Sequence, residues 1–163
     1  MKKLINPYLN VEGYHCFGCD PTHDKGLRME FYEDSDEIVS IWTPTGEYAS
    51  WIDTVHGGVQ ATLLDELCGW VVLRKLQSGA VTSRMELRYR KPVNISAGPL
   101  TLRASITGQR RNIIDVEGRL YNGAGELCTE ASCVYFLLPK GSPASNFSCL
   151  AEGEEGESVT AEQ

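Results

Sequence analysis

The chain is predicted to fold as an α+β domain, one long central helix wrapped by a curled antiparallel β-sheet. Three observations predict it. Residues 57–77 read as a helix apolar on almost every side, and such a helix is buried almost all round. Runs of alternating apolar and polar residues follow it, joined by short turns, as in antiparallel strands with one face in a core. Two shorter strand-like runs precede it.

Residues 1–26 form a turn-rich lid segment that contains Tyr14-His15-Cys16-Phe17-Gly18-Cys19-Asp20-Pro21-Thr22-His23. A Cys-x-x-Cys between two histidines invites comparison with zinc sites, but structural zinc takes four ligands, usually as two spaced pairs. With one cysteine pair present, two half-buried cysteines and no metal are expected. Leu27, Met29 and Phe31 alternate with Arg28, Glu30 and Tyr32 as a strand. Asp34-Ser35-Asp36 turns the chain, 37–43 is a second strand, and Pro44-Thr45-Gly46 ends it. The loop that follows carries Tyr48 and Trp51, which either line a substrate channel or cap the core.

In the helix, Ala61, Leu64, Leu67, Cys68 and Val71 recur at three- and four-residue steps. Trp70, Val72, Leu73 and Leu76 make most of the remaining surface apolar. Its length is about 30 Å, and Ser78-Gly79 should stop it. Met85, Leu87 and Tyr89, then Leu100 to Ile106, then Ile114 to Leu120, then Leu127 to Leu137 supply the strands. Gln109-Arg110-Arg111-Asn112 and Asn122-Gly123-Ala124-Gly125 read as hairpin connections. The hydrophobic domain thus spans 27–140. Residues 141–163 are rich in Gly, Ser, Ala and Glu and are expected to be a disordered, dispensable acidic tail.

Composition excludes several functions. At 163 residues the chain suits one domain with a sizeable core. Of the acidic surplus behind the net charge of −7, five glutamates sit after residue 141, where there is no lysine or arginine. No basic face for nucleic acid is left. Asp65, Glu66, Arg74 and Lys75 interrupt the helix, so it should not span a membrane. Two N-terminal lysines precede no apolar stretch, so no signal peptide is expected and the cytoplasm is the default. The six cysteines are scattered and do not resemble a disulfide framework; Cys68 and Cys133 read as small core residues.

The chemistry concentrates in His56-Gly57-Gly58-Val59-Gln60-Ala61-Thr62-Leu63-Leu64-Asp65-Glu66. Two glycines at a helix start allow close approach to the backbone and leave the first N–H groups pointing outward. Those groups carry the positive end of the helix dipole and suit a developing oxyanion. Asp65 lies between apolar neighbours, where a carboxylate is a general base or an unexplained cost. Glu66 is its rival. Taken alone, Gly57 and Gly58 could serve only packing, and His56 could merely be satisfied by a backbone carbonyl.

The His-Gly-Gly with an acid nine residues after the histidine, continued by Arg88-Tyr89-Arg90-Lys91-Pro92-Val93, resembles the PaaI-like group of hotdog-fold acyl-CoA thioesterases. The resemblance covers roughly residues 16–138. It implies the hotdog fold, hydrolysis of an acyl-CoA to a carboxylate and free coenzyme A, and no cofactor. It implies Asp65 as base or nucleophile and the Gly57 N–H as oxyanion donor. His56 would bond near the thioester carbonyl or fix its loop, and Thr82 would orient the water. It further implies a homodimer, or a dimer of dimers, in which each site takes its glycine and its acid from opposite subunits. Trp51, Gly58 and Glu66 would border the substrate, and Arg88, Arg90, Arg110 and Arg111 would meet the coenzyme A phosphates. This chain departs from the family at two places: Ser50 stands where many relatives have asparagine, and Asp53 where they usually have glycine. The alternative from another class is a non-catalytic acyl-CoA-binding module on the same fold.

Overall fold

A computed structural model describes residues 1–155. The elements in chain order are β1 (Lys2–Lys3), β2 (Tyr32–Asp34), β3 (Glu37–Trp42), β4 (Ala49–Trp51), β5 (Thr54–Val55), α1 (Gly57–Leu76), β6 (Ala80–Tyr89), β7 (Leu100–Arg110), β8 (Ile113–Tyr121) and β9 (Leu127–Leu137). Seven strands make one sheet in the order β1-β2-β3-β7-β8-β9-β6, with every pair antiparallel. β4 and β5 form a separate small hairpin just before the helix.

α1 lies against β3, β6, β7, β8 and β9, which is the hotdog arrangement. Register shifts in the β6–β9, β7–β8 and β8–β9 pairs mark bulges of the kind that increase twist and bend a sheet. The fit of helix to sheet is tight at Gly118 of β8, where a Cβ would come within 2.9 Å of Cys68 Sγ and 3.2 Å of Leu64 Cδ2. Leu63, Leu64, Leu67, Cys68, Val71 and Val72 are fully buried there, opposite Ile38, Leu102, Ile114 and Leu120. One polar link crosses this core: Thr129 Oγ1 donates to Gln60 Oε1 at 2.5 Å, and Gln60 Nε2 donates to the Val55 carbonyl at 3.1 Å. Burying Gln60 is tolerable because both ends of its amide are satisfied.

Three expectations need correction. Residues 27–31 are not a strand, although Leu27, Met29 and Phe31 are buried as the alternation requires. The Leu27 and Met29 N–H groups bond to the carbonyls of Phe17 and Gly18, at 2.8 and 2.9 Å, so this stretch is tied to the lid rather than to a strand. The helix stops at Gln77, whose backbone is left-handed (φ 50°, ψ 43°), and not at a glycine. Gly79 serves another contact: a Cβ there would come within 2.6 Å of the Ala144 carbonyl oxygen.

That contact belongs to the third correction. Over 141–155 the tail is not disordered but docked. Cys149 and Ala151 are fully buried, Leu4 bridges to Ala151, and Phe147 packs edge-on against Tyr8 at 4.9 Å. The Arg74 guanidinium, near the helix C-terminus, takes Glu154 in two 2.8 Å bonds, the Cys149 carbonyl at 2.8 Å and Glu33 at 2.6 Å. The acidic composition that suggests disorder supplies a partner for one half-buried arginine. The remainder of the expected tail, 156–163, lies outside the described residues.

The face of α1 turned away from the sheet is therefore covered by the chain itself. Phe31 stacks on Trp70 at 4.3 Å, and Leu4 and Cys19 join the same core.

Candidate active site

Asp65 projects from the middle of α1, half-buried, toward the start of β6. Thr82 Oγ1 donates to Asp65 Oδ1 at 2.8 Å. Tyr135 Oη, from β9, shares its one proton between the same Oδ1 and the Asp65 carbonyl, each at 2.8 Å. Thr82 and Tyr135 are paired residues of neighbouring strands, so the sheet register presents both hydroxyls to one oxygen. Burial pushes the Tyr135 phenol far above its ordinary range, so it stays protonated and can only donate here. With Oδ1 holding two donors, Oδ2 has no protein partner among the described residues. The carboxylate borders a cavity of about 260 Å³ whose wall includes Glu66, Gly69, Thr82 and Tyr135 on one side and Tyr14, Cys16 and Cys19 on the other.

Sequence reasoning missed Tyr135. The available signal was a tyrosine on the apolar face of the last strand, because a buried phenol requires a partner for its hydroxyl.

The glycine end of the helix is a separate place. His56 is the N-cap: its Nδ1 accepts from the Gly58 N–H at 2.9 Å, and its own N–H bonds to the Tyr48 carbonyl. In the neutral ring this leaves the proton on Nε2. The Gly58 N–H is thereby occupied within the chain. The Gly57 N–H has no protein partner among the described residues, while its carbonyl accepts from Tyr89 Oη at 2.8 Å, near the far end of β6. Gly57 and Asp65 are eight residues apart, about 12 Å along the helix axis.

The sequence family described as Thioesterase superfamily matches residues 46–129, just over half the chain.

The chain belongs to the thioesterase superfamily. Solved structures agree on the fold. A protein described as the thioesterase superfamily protein RHA08564 is 24% identical, with a TM-score of 0.69 over 75% of this chain and 60% of its own length. The BH2602 protein of Bacillus halodurans, crystallised with CoA, is 31% identical with a TM-score of 0.64, over 72% of this chain and 80% of its own. A hypothetical thioesterase protein of Streptococcus pneumoniae, crystallised with coenzyme A, is 22% identical with a TM-score of 0.63, over 70% and 91%. No curated protein sequence matches the chain.

Other residues singled out in the sequence scatter around this thioesterase fold. Glu66 borders the same cavity as Asp65 but turns to the lid, where Cys16 Sγ donates to it at 3.4 Å and Trp70 Nε1 at 3.2 Å. Ser50 and Trp51 sit on the small β4–β5 hairpin before His56, and Trp51 is 76% exposed. That exposure rules out a core-capping role for Trp51. Asp53, in the place of the family's usual glycine, has φ 52°. Its carboxylate is held by the Ser96 N–H and hydroxyl and by Asn94, which offsets the strain of a non-glycine residue in a left-handed turn.

The four arginines divide. Arg90 is paired with Glu130, and Arg88 lies in a groove on the outer face of the sheet with Glu86, Glu117 and Glu130. These carboxylates make that face a poor place for a phosphate. Arg110 and Arg111 lie at the β7–β8 turn, where φ is 57° at Arg111, and the register puts this turn at the same end of the sheet as Thr82 and Tyr135. Among the described residues, the acidic contact of Arg110 is a long one to Asp115, 3.7 Å.

Proposed function

We propose that the protein is an acyl-CoA thioesterase in which Asp65 is the general base. The observation that carries this reading is the fixed carboxylate: Oδ1 takes the Thr82 and Tyr135 hydroxyls, and Oδ2 is left to a water in the cavity. That water attacks the thioester carbonyl and gives its proton to Asp65. The oxyanion is taken by the Gly57 N–H at the positive end of α1. When the tetrahedral intermediate collapses, the C–S bond breaks and the proton passes to the coenzyme A thiolate. The coenzyme A found with the Bacillus and Streptococcus relatives supports the substrate class.

One chain cannot aim both groups at one carbonyl, since about 12 Å of helix separates them. The working unit we propose is a homodimer joined through β6. This strand is at one margin of the sheet, ten residues long and exposed along most of its length, with Val81 and Tyr89 about half exposed. A long uncovered edge of this kind is a template for pairing. If two copies of β6 pair antiparallel about their midpoints, the Tyr89 end of one, with Gly57, meets the Thr82 end of the other, with Asp65. Each of the two sites is then complete. Arg110 and Arg111, near the Asp65 end, are placed to meet coenzyme A phosphates.

The test is a panel of acyl-CoAs offered to the pure protein with a thiol-reactive dye. Turnover is expected from the parent. Asp65→Asn is expected to lose it while still binding acyl-CoA. Saturable binding without thiol release by the parent would instead identify a binding module.

A further inference from the structure

Lid and helix meet at a second chemical constellation, independent of the proposed hydrolysis. Cys16 and Cys19 come from a tight turn in the lid, and Glu66 comes from α1, fifty residues away. Their sulfur and carboxylate oxygen atoms all lie within 4.8 Å of one another. The Cys16 Sγ to Glu66 Oε1 distance is 3.4 Å. Ligand atoms around a tetrahedral zinc ion, with bonds of about 2.0–2.3 Å, stand roughly 3.3–3.8 Å apart.

Four features point to a cation rather than to two packed thiols. First, the turn gathers the Cys16 and Cys19 sulfurs on one side, each within 4.8 Å of the other and of the Glu66 carboxylate. Second, Glu66 is admitted at the expense of a side chain. A Cβ on Gly18 would stand 2.4 Å from Glu66 Cδ, so only glycine lets the carboxylate reach the two sulfurs. Third, Glu66 is half-buried and no arginine, lysine or histidine pairs with it among the described residues. Its donors are one thiol and one indole N–H. A carboxylate withdrawn from water with no positive partner is costly, and a divalent ion would supply the missing charge. Fourth, the second sulfur has outer partners of the kind that orient metal ligands. Asn6 Nδ2 donates to Tyr14 Oη at 2.9 Å, and Tyr14 Oη and Cys19 Sγ share a 3.0 Å hydrogen bond in which the phenol is the donor once the sulfur is a thiolate. The neighbouring histidines are engaged within their own loop. His15 Nδ1 meets Asp20, and His23 Nδ1 accepts from the Lys25 N–H.

We propose that Cys16 Sγ, Cys19 Sγ and a Glu66 carboxylate oxygen form a binding site for a single zinc ion. Two thiolates and one carboxylate are a donor set suited to zinc. Binding releases the two thiol protons to solvent. The fourth tetrahedral position is left to water or to a ligand from the cavity, whose wall these residues share with Asp65. The ion would pin the lid to the helix one residue from the proposed base.

The experiment is a titration of the reduced, metal-free full chain with Co²⁺, read by thiolate-to-cobalt charge-transfer absorption, followed by displacement with Zn²⁺. One ion per chain is expected. Cys16→Ser and Cys19→Ser should lose the intensity, each checked for folding by circular dichroism. Glu66→Gln should keep the thiolate band and weaken binding at least tenfold, and Tyr14→Phe should weaken it about 10–100-fold. A reduced parent that shows no thiolate–cobalt band overturns the proposal, whatever the variants do. A band unchanged in both cysteine variants also overturns it. Unchanged affinity in Glu66→Gln removes the carboxylate from the site and overturns it as stated.

Discussion

Tyr135→Phe isolates the positioning of Asp65 from its chemistry. The change removes one oxygen from a buried ring and leaves no cavity of consequence. It deletes a hydroxyl whose one proton is shared, at 2.8 Å each, between Asp65 Oδ1 and the Asp65 carbonyl. A hydrogen bond to a charged group contributes about 1.5–3 kcal/mol. The lower end applies here, because the carboxylate keeps Thr82 and borders a cavity open to water. About 1.5 kcal/mol corresponds to a fall in Tm of about 3–6 °C for a domain of this size. If the bond also holds Asp65 toward the water, the same energy appears in the barrier as about tenfold in kcat. KM should change far less, since Tyr135 stands behind the carboxylate.

The assay is steady-state hydrolysis of the best acyl-CoA, with thermal melts of the same samples. A Tm loss with kcat within twofold of the parent would refute the positioning role and leave only a folding contact. The cycle with Thr82→Val sharpens the test. Both hydroxyls serve one oxygen, so their effects should be non-additive by at least about 0.5 kcal/mol; strict additivity would mean that they do not share a task.

Three further outcomes are expected. Truncation after Lys140, which strips the partners Glu154 and the Cys149 carbonyl from Arg74 and removes the buried Cys149 and Ala151, should lower Tm by several degrees, and an unchanged melt would show that the docked tail contributes nothing. Arg74 holds the Glu154 carboxyl down to about 2; the stability from this depressed pKa is present above about 4.5, the ordinary glutamate range, and is lost as pH falls toward 2, so the acid limb of a Tm-versus-pH curve should flatten in Glu154→Gln. Mixing Asp65→Asn chains with Gly57→Leu chains should restore activity from two inactive parents, and verified exchange without recovery would end the shared-site reading.

The helix, its burial and the antiparallel strands were legible because their periods of 3.6 and 2 are written in consecutive residues. Asp65 was legible for a related reason: a carboxylate amid Leu63, Leu64, Leu67 and Cys68 conflicts with its neighbours. Tyr135 was not, because its partner is seventy residues away and only the packing of α1 on β9 brings them together. The nearness of Glu66 to the cysteine pair was hidden in the same way. The lid holds two of the three candidate ligands, and the third, on α1, is fifty residues away in sequence. At the tail, the glutamates read as solvated charges because Arg74, a half-buried cation near the end of α1 with Glu33 and Glu154 as its carboxylate partners, is far away in sequence.

The docked ends also change the physical reason for a dimer. An apolar surplus on α1 would have called for a second chain to cover it, but Leu4, Phe31 and the segment around Cys149 cover it from within. The long free margin of the sheet is the backbone edge of β6, flanked by half-exposed Val81 and Tyr89. Association through such an edge rests on ladder hydrogen bonds and on strand register more than on buried apolar area. A slip of that ladder would leave Thr82 on Asp65, because the β6–β9 register holds that contact within one chain, but it would move the partner's Gly57 away from Asp65. The ladder that would join two chains would therefore set how the oxyanion donor of one meets the base of the other, so assembly and catalysis should fail together when β6 pairing is disturbed, while the hydroxyls on Asp65 stay in place.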